Sequence, residues 1–398
     1  MTTNPEPSRS NADRLVRTLA FTVLLEWMAG GAFLPLFPVY LHDKGASTSL
    51  LGVVVGAFFL AGLIGQYPAG KLADHTSPRA VLLGGQVLYG LSTLGFLLTT
   101  NVHAAIGLRF IQGLGAGAAE VASLSIISKV VAPERRGRAF GTIYGAQLTG
   151  TILGPILGAI VGIHHMSLLF TLTALLSFSA SIPVLAQPAL KHLGRSAGPR
   201  VPLSQLTLTN SAKGSLILAA ALGLIIGTYD ASWSLLLRSK GAGGLAINLS
   251  WILFSLPFAL ASKPAGWLAD HSDRRTLALA GVISESLFCL AYPFLHSVAI
   301  MLALATLEAT VLAGALPSAQ SLLTEGIADD AHGRVQGLNA TSQMAAMTVA
   351  SMLGGVLFAI SPSLPFVASA SISLVGAGVM AVVWRPVNGH VGHSVSAS

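Results

Sequence analysis

Apolar runs dominate this chain, and most are close to the roughly 20 residues that carry a helix across a bilayer. They fall near 18–41, 48–71, 79–100, 103–131, 139–163 and 167–186, and after a break near 214–237, 246–269, 276–296, 298–324, 337–360 and 365–385. Twelve spans are therefore expected. The first follows Arg9, Arg14 and Arg17 as the apolar core of a signal peptide would, but its length and the eleven later runs favour a retained helix. The break, residues 187–213, holds Pro188, Pro199, Pro202 and four basic residues, and reads as a linker. The expected organisation is a tail (1–17), a six-helix bundle (18–186), the linker (187–213), a second six-helix bundle (214–385) and a tail (386–398).

Composition sharpens this reading. Hydrophobic residues make up 53% and charged residues 9%, with 43 glycines and a mean hydropathy of +0.72, far from a soluble domain at about 25% charged. A disordered chain and a secreted disulfide scaffold are excluded. Small residues suit close helix approach in lipid, where water does not drive association. The single cysteine, Cys289, sits in an apolar run with no metal-ligand neighbours, so no disulfide, metal or redox chemistry is expected.

The net charge of +7 does not point to nucleic acid. If both termini are cytoplasmic, 17 of the 22 Lys and Arg residues lie in the tails, the linker and the loops on one side. The opposite loops hold only Lys44, Arg238 and Lys240, while Arg109 and Lys263 lie within spans. This is the positive-inside bias of a multi-pass membrane protein.

The chain also repeats itself. Pro68-Ala69-Gly70-Lys71-Leu72-Ala73-Asp74-His75 recurs as Pro264-Ala265-Gly266-Trp267-Leu268-Ala269-Asp270-His271, an offset of 196 residues that also carries Gly137, Arg138 and Gly141 onto Gly333, Arg334 and Gly337. A six-span unit duplicated in parallel orientation is a transporter architecture with its binding site between the halves. The fold expected is all-α integral membrane, two six-helix halves related by a pseudo-twofold repeat.

At these residues the chain resembles the major facilitator superfamily. Gly70, Asp74 and Arg79 match its loop signature Gly-x-x-x-Asp-Arg/Lys-x-Gly-Arg-Arg/Lys, with a second copy at Gly266, Asp270, Arg274 and Arg275. His75 and His271 stand where the family has Arg or Lys, Ser77 replaces a glycine and Pro78 a basic residue, departures that bear on the charge relay the motif implies at the gate. Arg109-Phe110-Ile111-Gln112-Gly113-Leu114-Gly115-Ala116 is similar to the Arg-x-x-Gln-Gly-x-Gly-Ala motif of the fourth helix. Gly141, Gly150, Gly154, Pro155 and Gly158 fit Gly-x(8)-Gly-x(3)-Gly-Pro-x(2)-Gly, the pattern associated with proton-coupled exporters, while positions 350 and 351 of the second half are Ala and Ser. Pro35-Leu36-Phe37-Pro38 resembles the twelve-helix drug exporters, and the likeness covers nearly the whole chain.

The resemblance implies a bacterial cytoplasmic (inner) membrane, alternating access, a cavity lined by helices 1, 4, 7 and 10, and a gate at the basic loops. Asp74 and Asp270 are the expected latch there, with Arg79, Arg135, Arg136, Arg138, Arg274 and Arg334 as the surrounding cations; solvated loop charges are the alternative. Ionisable groups inside spans are costly in hydrocarbon and mark function by default. Five carboxylates qualify: Glu26, Glu120, Asp230, Glu285 and Glu308. Arg109 and Glu120 are 11 residues apart, so they project within about 20° of one another on one helix face, with Gln112 on the same stripe. The competing role for each acid is a structural hydrogen bond to a neighbouring helix.

A carboxylate desolvated when the cavity is empty and paired when it is filled can exchange a proton for a cationic substrate. The expected function is thus proton-coupled export of small amphipathic, possibly cationic, compounds, with Glu26 first and Asp230 second among the coupling residues. The proton gradient is the energy source, no cofactor is required, and a monomer is expected. Export of a sugar or lipid-like molecule is the alternative on the same scaffold; a proton-coupled uptake symporter and a non-transporting membrane sensor rank below it. No Gly-x-x-x-x-Gly-Lys-Ser/Thr loop occurs, and an enzyme is not expected.

Overall fold

The computed structural model describes residues 9–132, 135–188, 190, 207–328 and 331–384. Among these the chain is helical, with no strand: α1 (Arg9–Phe33), α2 (Phe37–Asp43), α3 (Thr48–His75), α4 (Pro78–Gly95), α5 (Val102–Val130), α6 (Arg136–Val161), α7 (Met166–Leu185), α8 (Asn210–Ser239), α9 (Gly244–His271), α10 (Arg274–Ala291), α11 (Val298–Thr324), α12 (His332–Ile360) and α13 (Leu364–Val383). Eleven segments are long and apolar enough to cross a membrane, α1 and α2 counting as one. The twelfth, α4, is shorter, at 18 residues, and carries Arg79 and Gln86.

Most helices reach past the apolar runs that reveal them. α1 starts at Arg9, α6 at Arg136 and α12 at His332, because hydropathy reports the thickness of the hydrocarbon and not the length of the helix. Pro35 marks the break between α1 and α2, where a missing N–H interrupts the ladder. Pro78 sits in the first turn of α4, where a missing N–H costs nothing. Its departure from the loop motif is thus also a helix start. Asn101, Thr209, Asp273 and Ser297 cap α5, α8, α10 and α11 by accepting amide N–H groups of their first turns. The linker 187–213 lies largely outside the described residues, and α8 begins within it at Asn210; the tail 386–398 lies wholly outside.

The repeat is written into the packing. In the first half α1 packs on α6 and α7, α5 on α3 and α4, and α4 on α7. In the second half α8 packs on α12 and α13, α11 on α9 and α10, and α10 on α13, helix for helix the same arrangement. The halves meet through α3 on α12, α6 on α9, and α2 and α3 on α8.

These junctions concentrate on the face opposite the basic loops. One apolar core there draws on both halves, from Phe33, Phe37 and Phe170 to Trp233, Tyr292 and Phe366. Gly52 meets Ser351 and Gly355 so closely that a Cβ would overlap their backbones, and a Cβ at Gly158 would lie 2.7 Å from the side-chain oxygen of Asn248. Asp43 and Arg238 add an ion pair across the seam at 3.5 Å. Toward the basic face the cores separate. One is built wholly from residues 12–190, the other wholly from residues 208–335. Among the described residues, then, the halves are joined on the far face and part toward the basic face, with a cleft between them.

Candidate functional site

Glu26 lies on α1, and what fixes α1 is the glycine row of α6. A Cβ at Gly150 would strike the backbone of Leu24 and Met28, one at Gly154 would strike Gly31, and one at Gly158 would strike Ala32. Pro155 packs on Gly31 from the same helix face. The motif Gly150, Gly154, Pro155, Gly158 thus seats the stretch of α1 from Leu24 to Ala32, with Glu26 inside it, while Gly141 at the basic end meets nothing within 4 Å. Small residues permit this approach where a side chain would hold the helices apart.

Glu26 is partly buried, and Gln86 of α4 and Glu120 of α5 are the groups that act on it electrostatically. Gln86 itself is held, its Oε1 accepting from Ser181 at 2.7 Å. Glu120 is exposed although it lies two-thirds of the way along α5, and its Oε2 accepts from Gln66 Nε2 at 3.2 Å. Glu26, Glu120 and Gln66 therefore face the cleft from the first half, with Gln86 fully buried beside Glu26.

Arg109 is fixed differently. Its guanidinium is buried at 2% exposure. Nη1 donates to Gln112 Oε1, Gln112 Nε2 donates to Thr93 Oγ1 at 2.7 Å, and Thr93 donates to the Tyr89 carbonyl at 2.7 Å. One face of the guanidinium lies 4.3 Å from the centroid of Phe58, a cation–π contact. Asp230, partly buried on α8, acts on Arg109 from the other half. Of the stripe read from the sequence, Arg109 and Gln112 join this hydrogen-bonded line, while Glu120 is exposed and bonds to Gln66 instead.

Glu308 and Glu285 form a separate group within the second half. They are 2% and 3% exposed and interact directly. Tyr229 Oη donates to Glu308 Oε1 at 2.7 Å and Tyr292 Oη to Oε2 at 2.5 Å. Both oxygens of Glu308 are thus engaged within a buried group.

At the basic loops the contacts that follow, all among the described residues, lie within one half. Asp74 lies 3.9 Å from Lys129 and Asp270 3.7 Å from Arg274 one turn along. Arg79 donates to the carbonyls of Val184 and Leu185, Arg135 pairs with Asp13, Arg136 donates to the carbonyls of Val131 and Ser128, and Arg275 lies 3.9 Å from Glu325. None of these pairs spans the halves. Arg138 and Arg334 occupy repeat-related positions in the first turns of α6 and α12.

Sequence reasoning missed Gln66, Gln86, Thr93, Tyr292, and the Asp43–Arg238 pair. One signal was available for some of them. The offset of 196 places Gln112 on Glu308, Tyr89 on Glu285, Thr93 on Cys289 and Phe96 on Tyr292, so a polar position in one half pointed to its counterpart.

Two pseudo-symmetric bundles sealed on one face, with ionisable groups on the helices around the cleft, define a multi-pass membrane transporter. The Major Facilitator Superfamily profile matches residues 19–229 and 214–397, and the chain belongs to that family. Among curated proteins, it is 28% identical over 179 residues to the quinolone resistance protein NorA of Staphylococcus aureus, 44% of this chain and 46% of that one. It is 29% identical over 139 residues to a chloramphenicol resistance protein of Pseudomonas aeruginosa, 35% and 33% of the two chains. The matched stretches thus span less than half of these relatives. Among solved structures, a POT family transporter in complex with a thioalcohol-conjugated peptide superposes with a TM-score of 0.76 at 12% identity, over 92% of this chain and 95% of that one. The nucleoside transporter NupG gives 0.72 at 12% identity, over 93% and 99%. At such identities these two speak for the fold alone.

Proposed function

We propose that this protein is a proton-coupled exporter of small amphipathic, cationic compounds, working by alternating access from a cytoplasmic basic face. The observation that carries this reading is the polar group of Glu26, Glu120 and Gln66, with Gln86 buried behind Glu26, set beside a cleft with one buried arginine. Drug resistance in the two relatives' names supports the substrate class.

In this reading Glu26 and Glu120 hold protons when the cleft is empty of substrate. An entering cation takes the place of a proton, because a carboxylate cannot serve both at once. Asp230 answers Arg109 from the opposite half, so the two half-bundles are drawn together or released according to what Asp230 carries. Release of substrate on the far face requires the Asp43–Arg238 pair and the glycine crossings to part, while the basic loops of the two halves approach. Asp74, Arg79, Arg138, Asp270, Arg274 and Arg334 are then the groups available to form the opposite gate. Glu308 and Glu285 are assigned to holding the second half rigid. The cycle uses the proton gradient and needs no cofactor, and we assign the protein no catalytic chemistry.

The test is efflux of a fluorescent lipophilic cation from proteoliposomes, with and without an imposed pH gradient, for the native protein and Glu26→Gln. Gradient-driven flux in the native protein, reduced at least about 10-fold in the variant, is expected, in the range found for positioned proton-transfer groups. Absence of gradient-driven flux in the native protein contradicts the reading.

A further inference from the structure

The ring that carries Arg109 belongs to an apolar wall built by both halves. Phe58 and Phe59 of α3 stand with centroids 5.6 Å apart. They join Val55, Ala231 of α8, and Met344 and Met347 of α12 in one cluster. Ala231 directly follows Asp230, and Phe58 lies under the guanidinium of Arg109 at 4.3 Å. The wall is therefore bracketed by a carboxylate and a guanidinium, at the seam where the halves meet.

Two properties separate this wall from ordinary core. Met344 and Met347 are only partly buried, as is Phe58, whereas the aromatic core on the far face contains fully buried rings such as Phe33 and Phe37. The thioether also packs directly on a glycine: Met344 Sδ lies only 3.1 Å from where a Cβ at Gly62 would stand. An unbranched, polarisable side chain with three rotatable bonds next to a glycine can be repacked at little cost. The charges around it favour one sign of ligand. Glu26, Glu120 and Asp230 outnumber Arg109, so a cationic group is complementary to the polar side while its apolar remainder is left for the wall.

Resting on the exporter reading, we infer that Met344 and Met347, with Phe58, form an adaptable wall that selects the ring system of the substrate. The class that fits is an amphiphile carrying a cationic nitrogen or phosphorus on a bulky aromatic body, with the shape of that body loosely specified. The acids select charge, and the methionines set how many shapes are accepted.

The experiment compares flux of three cations of unlike shape, planar ethidium, globular tetraphenylphosphonium and rhodamine 6G, in proteoliposomes of the native protein and of the Met344→Ile/Met347→Ile double variant. Isoleucine keeps the volume nearly constant and stiffens the side chain at χ1. At least one probe should stay within about 2-fold of native flux while the ratio of best to worst probe shifts about 10-fold, a discrimination of the size a methylene in an apolar pocket can produce. An equal loss for all three probes, or no change in any, overturns the inference. Oxidation footprinting provides a readout independent of transport: tetraphenylphosphonium should protect Met344 and Met347 from sulfoxide formation while leaving Met28 on α1 unchanged. Lack of protection also overturns it. A native protein that moves none of the probes yet shows the protection sinks the exporter reading and leaves the wall standing as a binding surface.

Discussion

At an offset of 196 residues the two halves place ring upon ring. Phe33, Phe37, Phe96 and Phe170 of the first correspond to Tyr229, Trp233, Tyr292 and Phe366 of the second. Phe37–Phe96 centroids are 4.8 Å apart and Trp233–Tyr292 4.7 Å; Phe33–Phe170 are 5.8 Å apart and Tyr229–Phe366 6.2 Å. Around this shared cage the polar groups diverge. In the first half Thr93 and Gln112 lead to Arg109; in the second their counterparts are Cys289 and Glu308, and two cage rings have gained the hydroxyls that hold Glu308. Glu26, Arg109 and Glu120 have only Leu222, Ala305 and Leu316 opposite them. The duplicated scaffold is conserved within the molecule, and its cleft charges are found where the duplication is broken.

The glycines are exchanged in a similar way. In the first half they lie on α6 and receive α1; in the second Gly223 and Gly227 lie on α8 and receive the backbone of α12 at Gln343 and Met347. The largest expected effect follows from this. Gly154→Val and Gly227→Val each force a branched side chain into backbone, and both should cost about 3 kcal/mol or more, the upper end for overpacking. Thermal unfolding in detergent checks it, and a tolerated Gly227→Val would break the parallel between the halves.

The next effect separates the acids. Glu308→Ala leaves the hydroxyls of the buried Tyr292 and the partly buried Tyr229 without their acceptor and should destabilise the protein by about 2–4 kcal/mol. Glu120→Gln, on an exposed side chain, should stay within about 0.5 kcal/mol of native while changing transport. Equal stability losses in the two variants would remove the distinction between a sealed and an open acid.

The smallest concerns Asp273, the cap of α10, whose first-half counterpart, Ser77, makes no side-chain cap hydrogen bond. The Thr276 hydroxyl above all holds its carboxyl below its ordinary value; burial opposes this, and the Thr276 and Arg275 amides add to the lowering. A lowered pKa means stability that is present in full above that ordinary value and lost as pH falls through the lowered one. Asp273→Ala should therefore cost on the order of 1 kcal/mol near neutrality and nothing in strong acid, read as unfolding midpoints at the two pH values.

Much of the fold was legible because hydrocarbon imposes a length on each span and the repeat was explicit at Pro68–His75. The helix ends were not, since Arg9, Arg136 and His332 continue helices into polar surroundings where hydropathy is silent. Glu26, Glu120 and Asp230 stood out as charges in apolar runs. What periodicity could not supply was their company. Gln66 and Gln86 are unremarkable on their own helices and acquire meaning only when α3, α4 and α5 are packed together. Glu308 looked like its equals in sequence; the two tyrosines on α8 and after α10 that distinguish it come from elsewhere in the chain.

The central claim is that proton exchange belongs to the open acids of the first half and not to the sealed pair of the second. The most direct test is the number of protons released when tetraphenylphosphonium is added to weakly buffered protein in detergent, for native protein, Glu26→Gln and Glu285→Gln. The account predicts release in the native protein, its loss in Glu26→Gln and its retention in Glu285→Gln. Release that persists in Glu26→Gln and disappears in Glu285→Gln would contradict it.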